Sequence, residues 1–259
     1  MKKTILLILV FVFGGISIKY AQQAEVLIDE GKKLVNEGDI YFENDAYRKA
    51  RGLFERASFA DNENFFAHYF LAYTDYRLAV YHMKKKDNLQ FKNYVESATE
   101  KLKSLLEENE NNAELVSLLG TVYGIQVSRD PSLGPSLGSQ NVALTSQALG
   151  IDPNNPRVLL QAGISKLNTP EFFGGSKTKA LAYFKKSIEL FESGKKDEDY
   201  IEWGYFDALA WLGITYTQLE EYSTAVKVYN KALGIEPDYS WIKNVLLPSA
   251  EENLKSLEQ

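Results

Sequence analysis

The 259-residue chain contains no cysteine, which excludes a disulfide scaffold, a thiol nucleophile and any thiolate-bound metal. It also excludes the bacterial lipoprotein anchor, which needs a cysteine at the cleavage point. Histidine is nearly as scarce, with only His68 and His82. Fourteen residues apart on one helix, these two would stand about 21 Å from each other and could not share a metal. No G-x-S-x-G, H-E-x-x-H or comparable constellation is present, and the acidic runs EENEN (107–111) and KKDEDY (195–200) read as solvated surface. No catalytic residue, cofactor or metal is therefore expected, and a hydrolase built from dispersed carboxylates is the least supported reading. Positive charge is in deficit too, with 29 Lys and Arg against 35 Asp and Glu. Without a basic stripe, nucleic acid and anionic membrane surfaces make poor partners.

Long apolar runs are missing except at the start, where Lys2 and Lys3 precede an unbroken stretch from Ile5 to Ile18. This pattern reads as a secretory signal peptide over residues 1–21. Its 14 residues reach about 21 Å as a helix, short of the roughly 30 Å hydrocarbon core. A cut after Ala21 places Lys19 where a small residue is preferred, and a cut after Ser17, two beyond Gly15, is the alternative. The expectation is an exported protein, soluble in a periplasm or outside the cell. Losing Lys2, Lys3 and Lys19 takes the 29 basic residues to 26 and makes the mature chain more acidic still.

What the sequence does contain is a repeat. In FDALAWLGITYTQLEEYSTAVKVYNKALGIEPDY (206–239), Leu212-Gly213, Tyr216, Tyr222, Ala225, Tyr229, Ala232 and Pro237 follow the spacing L-G-x2-Y-x5-Y-x2-A-x3-[FY]-x2-A-x4-P. The stretch resembles the tetratricopeptide repeat, a helix–turn–helix unit of about 34 residues that stacks into a solenoid. Gly38, Tyr41, Tyr47, Ala50, Phe54 and Ala57 repeat the same offsets. With one small residue of each helix as marker, the pairs Gly38/Ala50, Ala72/Ala98, Gly120/Asn141, Gly163/Ala180 and Gly213/Ala225 define five units. From each unit to the next the interval is 22, 22, 22 and then 33 residues.

The resemblance implies an all-α fold: a right-handed superhelical solenoid of about five such units, over about 31–64, 65–112, 113–155, 156–192 and 206–239. An inserted linker (193–205) precedes the last unit, and a polar capping helix (241–259) closes the end, with Pro248 as a kink or break. Within units, the marker spacing of 12 in the outer pair grows to 26, 21 and 17 in the middle three, which marks insertions of 14, 9 and 5 residues along one edge. The first reads as two lengthened helices ending in a basic turn at Lys84, Lys85 and Lys86. The second, PSLGPSLG (131–138), reads as turn or loop rather than helix. The third, TPEFFGG (169–175), places Phe172 and Phe173 beside a glycine pair, either as a local staple or as a binding element. The arrangement Gly174, Gly175, Lys179, Ala180, Tyr183 is similar to that of exported tetratricopeptide proteins, among them accessory subunits of periplasmic transport systems. Asp75, where Tyr is expected, and Asn141, where Ala is expected, are misfits, the latter suggesting a shifted or partly unwound helix.

Such a solenoid lines its concave groove with first helices. Tyr69, Tyr73 and Tyr76 stand on one helical face at i, i+4 and i+7, either as groove or as core, with Arg77, Arg129 and Arg157 near the same groove. Members that clamp a peptide carboxylate use Lys and Asn where this chain has Val35, Asp39, Tyr69 and Tyr73, so that clamp is absent. The resemblance implies a non-catalytic scaffold for a peptide or protein partner, held in the groove and on the insertions by Tyr69, Tyr73, Tyr76, Arg77, Arg129, Arg157, Phe172 and Phe173. The alternative is a transport accessory subunit that holds a small hydrophobic solute. An open groove would favour the first, and a closed apolar cavity behind Phe172 and Phe173 the second.

Overall fold

The computed structural model describes the backbone of residues 2–194 and 201–257, with side chains from residue 21 onward. Residues 1–20 of the expected signal peptide lack described side chains, and residues 195–200 of the expected linker lie outside the described residues. Among the described residues there is no strand, and no helix is long and apolar enough to cross a membrane.

The helices pack in antiparallel pairs: α1 (Lys2–Tyr41) with α2 (Asn44–Ala60), α3 (Phe65–Lys85) with α4 (Asn88–Glu108), α5 (Ala113–Arg129) with α6 (Ser139–Ile151), α7 (Pro156–Asn168) with α8 (Lys177–Ser193), and α9 (Tyr205–Gln218) with α10 (Tyr222–Ile235). Each first helix also touches the next first helix, from α1 through α9, so these form the inner layer of an all-α solenoid. A π-turn (Ile242–Leu246) and α11 (Leu247–Leu257) pack on α10. The π-turn runs directly into α11, whose second residue is Pro248, in one continuous helical run, and a widened turn accommodates a proline that has no N–H to donate.

Local chemistry sets these boundaries. The side chains of Asn64, Asn112 and Asn155 accept hydrogen bonds from the first-turn amides of α3, α5 and α7, and Asp87 and Ser176 do the same for α4 and α8. Pro153 and Pro237 follow the ends of α6 and α10 and prevent continuation. Within a pair the helices touch through glycine: a Cβ added to Gly38, Gly163 or Gly213 would lie 2.6 Å from Tyr47, 2.5 Å from Phe184 or 2.2 Å from Tyr229.

The two misfits are polar links between helices. Asp75, fully buried, accepts from Arg51 of α2 at 2.6 Å and from Ser97 of α4 at 2.7 Å, and pairs with Lys101 at 3.0 Å. Three partners offset the cost of burying its charge. Asn141 does not unwind α6. It donates to the Gly120 carbonyl at 2.6 Å and accepts from Ser165 at 2.6 Å, tying α6 to α5 and α7.

The insertions behave differently from one another. The first lengthens both helices: α3 and α4 have 21 residues each against 14 each in α9 and α10, joined through Lys86 in the left-handed region (φ 60°). The second is helical, contrary to the expected loop. Pro131–Leu133 forms a 3-10 turn and Gly134–Gly138 a π-turn that runs into α6. Asp130 caps this run by accepting from the Ser132 amide at 3.0 Å, and Ser136 and Ser139 donate back to preceding carbonyls. Proline at a first helical position leaves no bond unmade. The third insertion is a braced turn, described below.

Candidate functional site

Tyr69, Tyr73 and Tyr76 of α3 do face the inner layer, yet they are 0, 0 and 8 % exposed. What covers them is the chain itself. Residues 201–204, outside any helix, lie against the inner layer before α9 begins. Trp203 stacks on Tyr73, with centroids 4.5 Å apart and planes at 23°, and its indole N–H donates to the Tyr69 hydroxyl at 3.0 Å. Groove and core are therefore the same surface here. An open groove, the condition that favoured peptide binding, is not what the structure contains.

The predicted arginines separate into two kinds. Arg157, 4 % exposed, pairs through its Nη2 with Glu114 of α5 at 2.7 Å and donates from Nη1 to the Ile201 carbonyl at 2.7 Å. Glu114 also accepts from Asn155 at 2.9 Å and from Tyr69 at 3.1 Å. Arg77, 8 % exposed, lies between two carboxylates, 2.9 Å from Asp39 of α1 and 3.0 Å from Asp207 of α9. Arg129 does not belong with them. It is exposed at the end of α5, on the insertion edge, and donates to Asn88 at the start of α4. A residue at a helix end follows the turn edge and not the inner face, which the sequence register alone did not separate.

The electrostatics of this inner layer follow from burial. Burial pushes the Asp39 carboxyl up, the Arg77 charge pulls it back and the Asp207 charge raises it again, leaving it at about 6. The Tyr47 and Tyr73 hydroxyls donate to Asp39 at 2.6 and 3.4 Å, and Tyr239 donates to Asp207 at 3.1 Å. Burial opposes the charge on Arg77, but Asp39 and its neighbours hold its pKa above the ordinary guanidinium value. Burial also raises the phenols, Tyr76 to about 12, so they remain neutral donors at physiological pH. The arrangement supplies matched donors and acceptors that hold that segment. No group of three or more residues able to hold a metal ion occurs among the described residues.

Three of the residues that matter most, Ile201, Trp203 and Asp207, escaped the sequence reading, as did Glu114. The available signal was a tryptophan, one of three in the chain, beside an insertion outside the repeat register. The stem of that insertion is pinned: Glu192, near the end of α8, accepts from Tyr205 at 2.7 Å and from Lys231 at 2.5 Å. Beside the segment, α1, residues 202–207 and Tyr239 enclose a recess of about 460 Å³. Phe70, Trp203, Phe206 and Tyr239 line it, with Asp39, Asp207, Lys32 and Lys33.

On the outer edge, the staple reading of Phe172 and Phe173 fails, because the pair is 92 and 69 % exposed. The rings meet edge to face at 5.2 Å on a 3-10 turn, Glu171–Phe173. That turn is rigidly braced. Gly174 adopts φ 88°, the Gly175 amide donates to the Pro170 carbonyl at 3.1 Å, and Lys166 donates to the Gly174 carbonyl at 2.9 Å. A Cβ on Gly175 would lie 1.7 Å from the Thr169 carbonyl oxygen.

The tetratricopeptide repeat profile matches residues 206–239. A search of curated protein sequences finds no match. Among solved structures, the chain is similar to a thermophilic tetratricopeptide-repeat protein of Thermus thermophilus, at TM-score 0.64 and 21 % identity over 88 % of this chain and 98 % of that one. It is also similar to the HusA haemophore of Porphyromonas gingivalis, at TM-score 0.62 and 23 % identity over 76 % of this chain and 94 % of that one. At these identities the likeness is one of fold.

Proposed function

On the premise that this chain is a tetratricopeptide-repeat solenoid, we propose that it is an exported, non-catalytic scaffold that docks a protein partner on the edge formed by its helix-turn insertions. The observation that carries this reading is the Phe172–Phe173 pair. Two large apolar side chains are held in water on a turn too constrained to fold them away. Exposed rings on a preorganised turn suit an anchor, since little conformational freedom is lost when they are buried in a partner. Arg129 stands at the preceding turn of the same edge, and Lys84, Lys85 and Lys86 are exposed at the turn before that. The apolar N-terminal run behind Lys2 and Lys3 supports export.

Photocrosslinking tests the edge. A benzoylphenylalanine at position 172 should give a discrete protein adduct in envelopes of the native cell, lost on Phe173→Ser. The same probe at Phe59, 83 % exposed at the far end of α2, should give none. Equal adducts from both positions, or none from position 172, would sink the reading.

A second reading, in which the protein holds a small solute against Trp203, rests on the recess of about 460 Å³, which is open-sided, mixes aromatic with charged lining and lies beside α1 instead of behind Phe172 and Phe173. A volume of that size suits a ligand of modest mass. The similar HusA is a haemophore, which makes haem the first solute to try. In a Trp211→Phe, Trp241→Phe background that leaves Trp203 as the one emitter, saturable quenching by haem, lost in Phe206→Ala, is the expected outcome. Linear, unsaturable quenching in both proteins counts against it.

A further inference from the structure

The inner layer is occupied by a segment that has the chemistry of a bound peptide. From Ile201 to Trp203 the backbone belongs to no helix, and its side chains alternate between buried and exposed, the period of a strand-like segment. Ile201 and Trp203 point inward and are each 8 % exposed, while Glu202 points outward and lies 3.9 Å from Lys32. Gly204 turns away at φ 109°, and a Cβ there would lie 3.1 Å from Phe191 and 3.2 Å from Leu160. The groups that hold this segment come from several different units. Tyr69 and Tyr73 of α3 take the indole, Arg157 of α7 takes the Ile201 carbonyl, and Glu114 of α5 orients both Tyr69 and Arg157. Stacked repeats present such a surface to a ligand that runs across them.

We infer that residues 201–204 are an intramolecular occupant of a peptide groove, and that the groove's other ligand is an extended segment of a partner with the pattern apolar–any–Trp–Gly. Occupation by a tethered segment sets the strength of competition. A short tether gives an effective concentration on the order of millimolar, so a free peptide meets a groove already filled and binds the intact chain weakly. Removal of the Ile201 and Trp203 side chains uncovers Tyr69 and Tyr73 without altering either, while the residue-201 carbonyl stays on Arg157 until the segment itself is displaced. The surface is separate from the phenylalanine edge, so either can fail while the other stands.

The test uses a fluorescein-labelled peptide carrying Ile-Glu-Trp-Gly-Tyr-Phe and the full chain. The double variant Ile201→Ser, Trp203→Gly should bind it at least about tenfold more tightly than the unaltered chain, as the tether's effective concentration demands. The gain should vanish when the peptide's Trp is replaced by Ala, or when Tyr73→Ala is added to the protein. Phe172→Ser and Phe173→Ser should leave it unchanged. A double variant that keeps its helical circular dichroism and shows no Trp-dependent binding overturns the inference. Should the double variant not fold, hydrogen exchange on the unaltered chain decides. With peptide at several millimolar, faster exchange at the Trp203 indole N–H, which donates to Tyr69, supports displacement, and unchanged exchange overturns it.

Discussion

Asp39 is the residue through which the medium reaches this fold. Its carboxyl titrates at about 6 in the folded chain against an ordinary 3.8, so the folded state takes up the proton more readily than the unfolded one. The stability this group contributes is complete below about pH 4 and is lost as pH rises through about 6. Thermal melts should therefore show a lower Tm at pH 7 than at pH 5, by about 2–4 °C for each kcal/mol involved in a chain of this size. In Asp39→Asn that difference should shrink; an identical slope in both proteins would assign the pH dependence to other carboxylates. Residues such as Asp39, Asp75 and Asn141 also mark the limit of what one sequence reveals. Asp75 and Asn141 read as errors in the repeat, because their acceptability depends on Arg51, Ser97 and Lys101 in one case and on Gly120 and Ser165 in the other. Those partners lie on separate helices, and nothing in linear spacing brings them together.

At the scale of the element, legibility followed whether a periodic pattern survived. The first insertion was legible as longer helices because it adds helix-forming residues and no breaker before Lys86-Asp87. The second was misread, since Pro and Gly in PSLGPSLG signal turns while Asp130, Ser136 and Ser139 supply the hydrogen bonds that make helical turns from them. In the third, both alternatives for Phe172 and Phe173 were visible, and the exposure of the pair removes the staple. The asparagine before α3, α5 and α7 was a further signal, recurring at the same place in three successive units. The segment 201–204 left no such trace. It has no helical period, and its hydrogen bond from Trp203 to Tyr69 spans 134 positions of sequence.

For the whole molecule, that same long-range bonding changes how the solenoid comes apart. Repeat arrays held only by neighbour contacts unfold in parts, from the ends or from a weak unit. Here Arg77 joins α1, α3 and α9 through Asp39 and Asp207, and Trp203 fastens the approach to α9 onto α3. The first and last units therefore share one lock, and denaturation should be a single transition. Far-UV circular dichroism reports all units, whereas tryptophan emission reports the approach to α9 and the C-terminal units, where Trp203, Trp211 and Trp241 stand. The two signals should coincide in the unaltered chain. They should separate in Arg77→Met, which leaves Asp39 and Asp207 buried without their cation. Separate transitions in the unaltered chain would show that the lock carries no cooperativity. The pinned stem at Glu192, Tyr205 and Lys231 has a consequence of another kind. Sequence between α8 and α9 can drift, lengthen or be exchanged while the repeats on either side keep their frame. Relatives of this protein can thus diverge in what covers Tyr69 and Tyr73 by rewriting a handful of residues, with the architecture inherited unchanged.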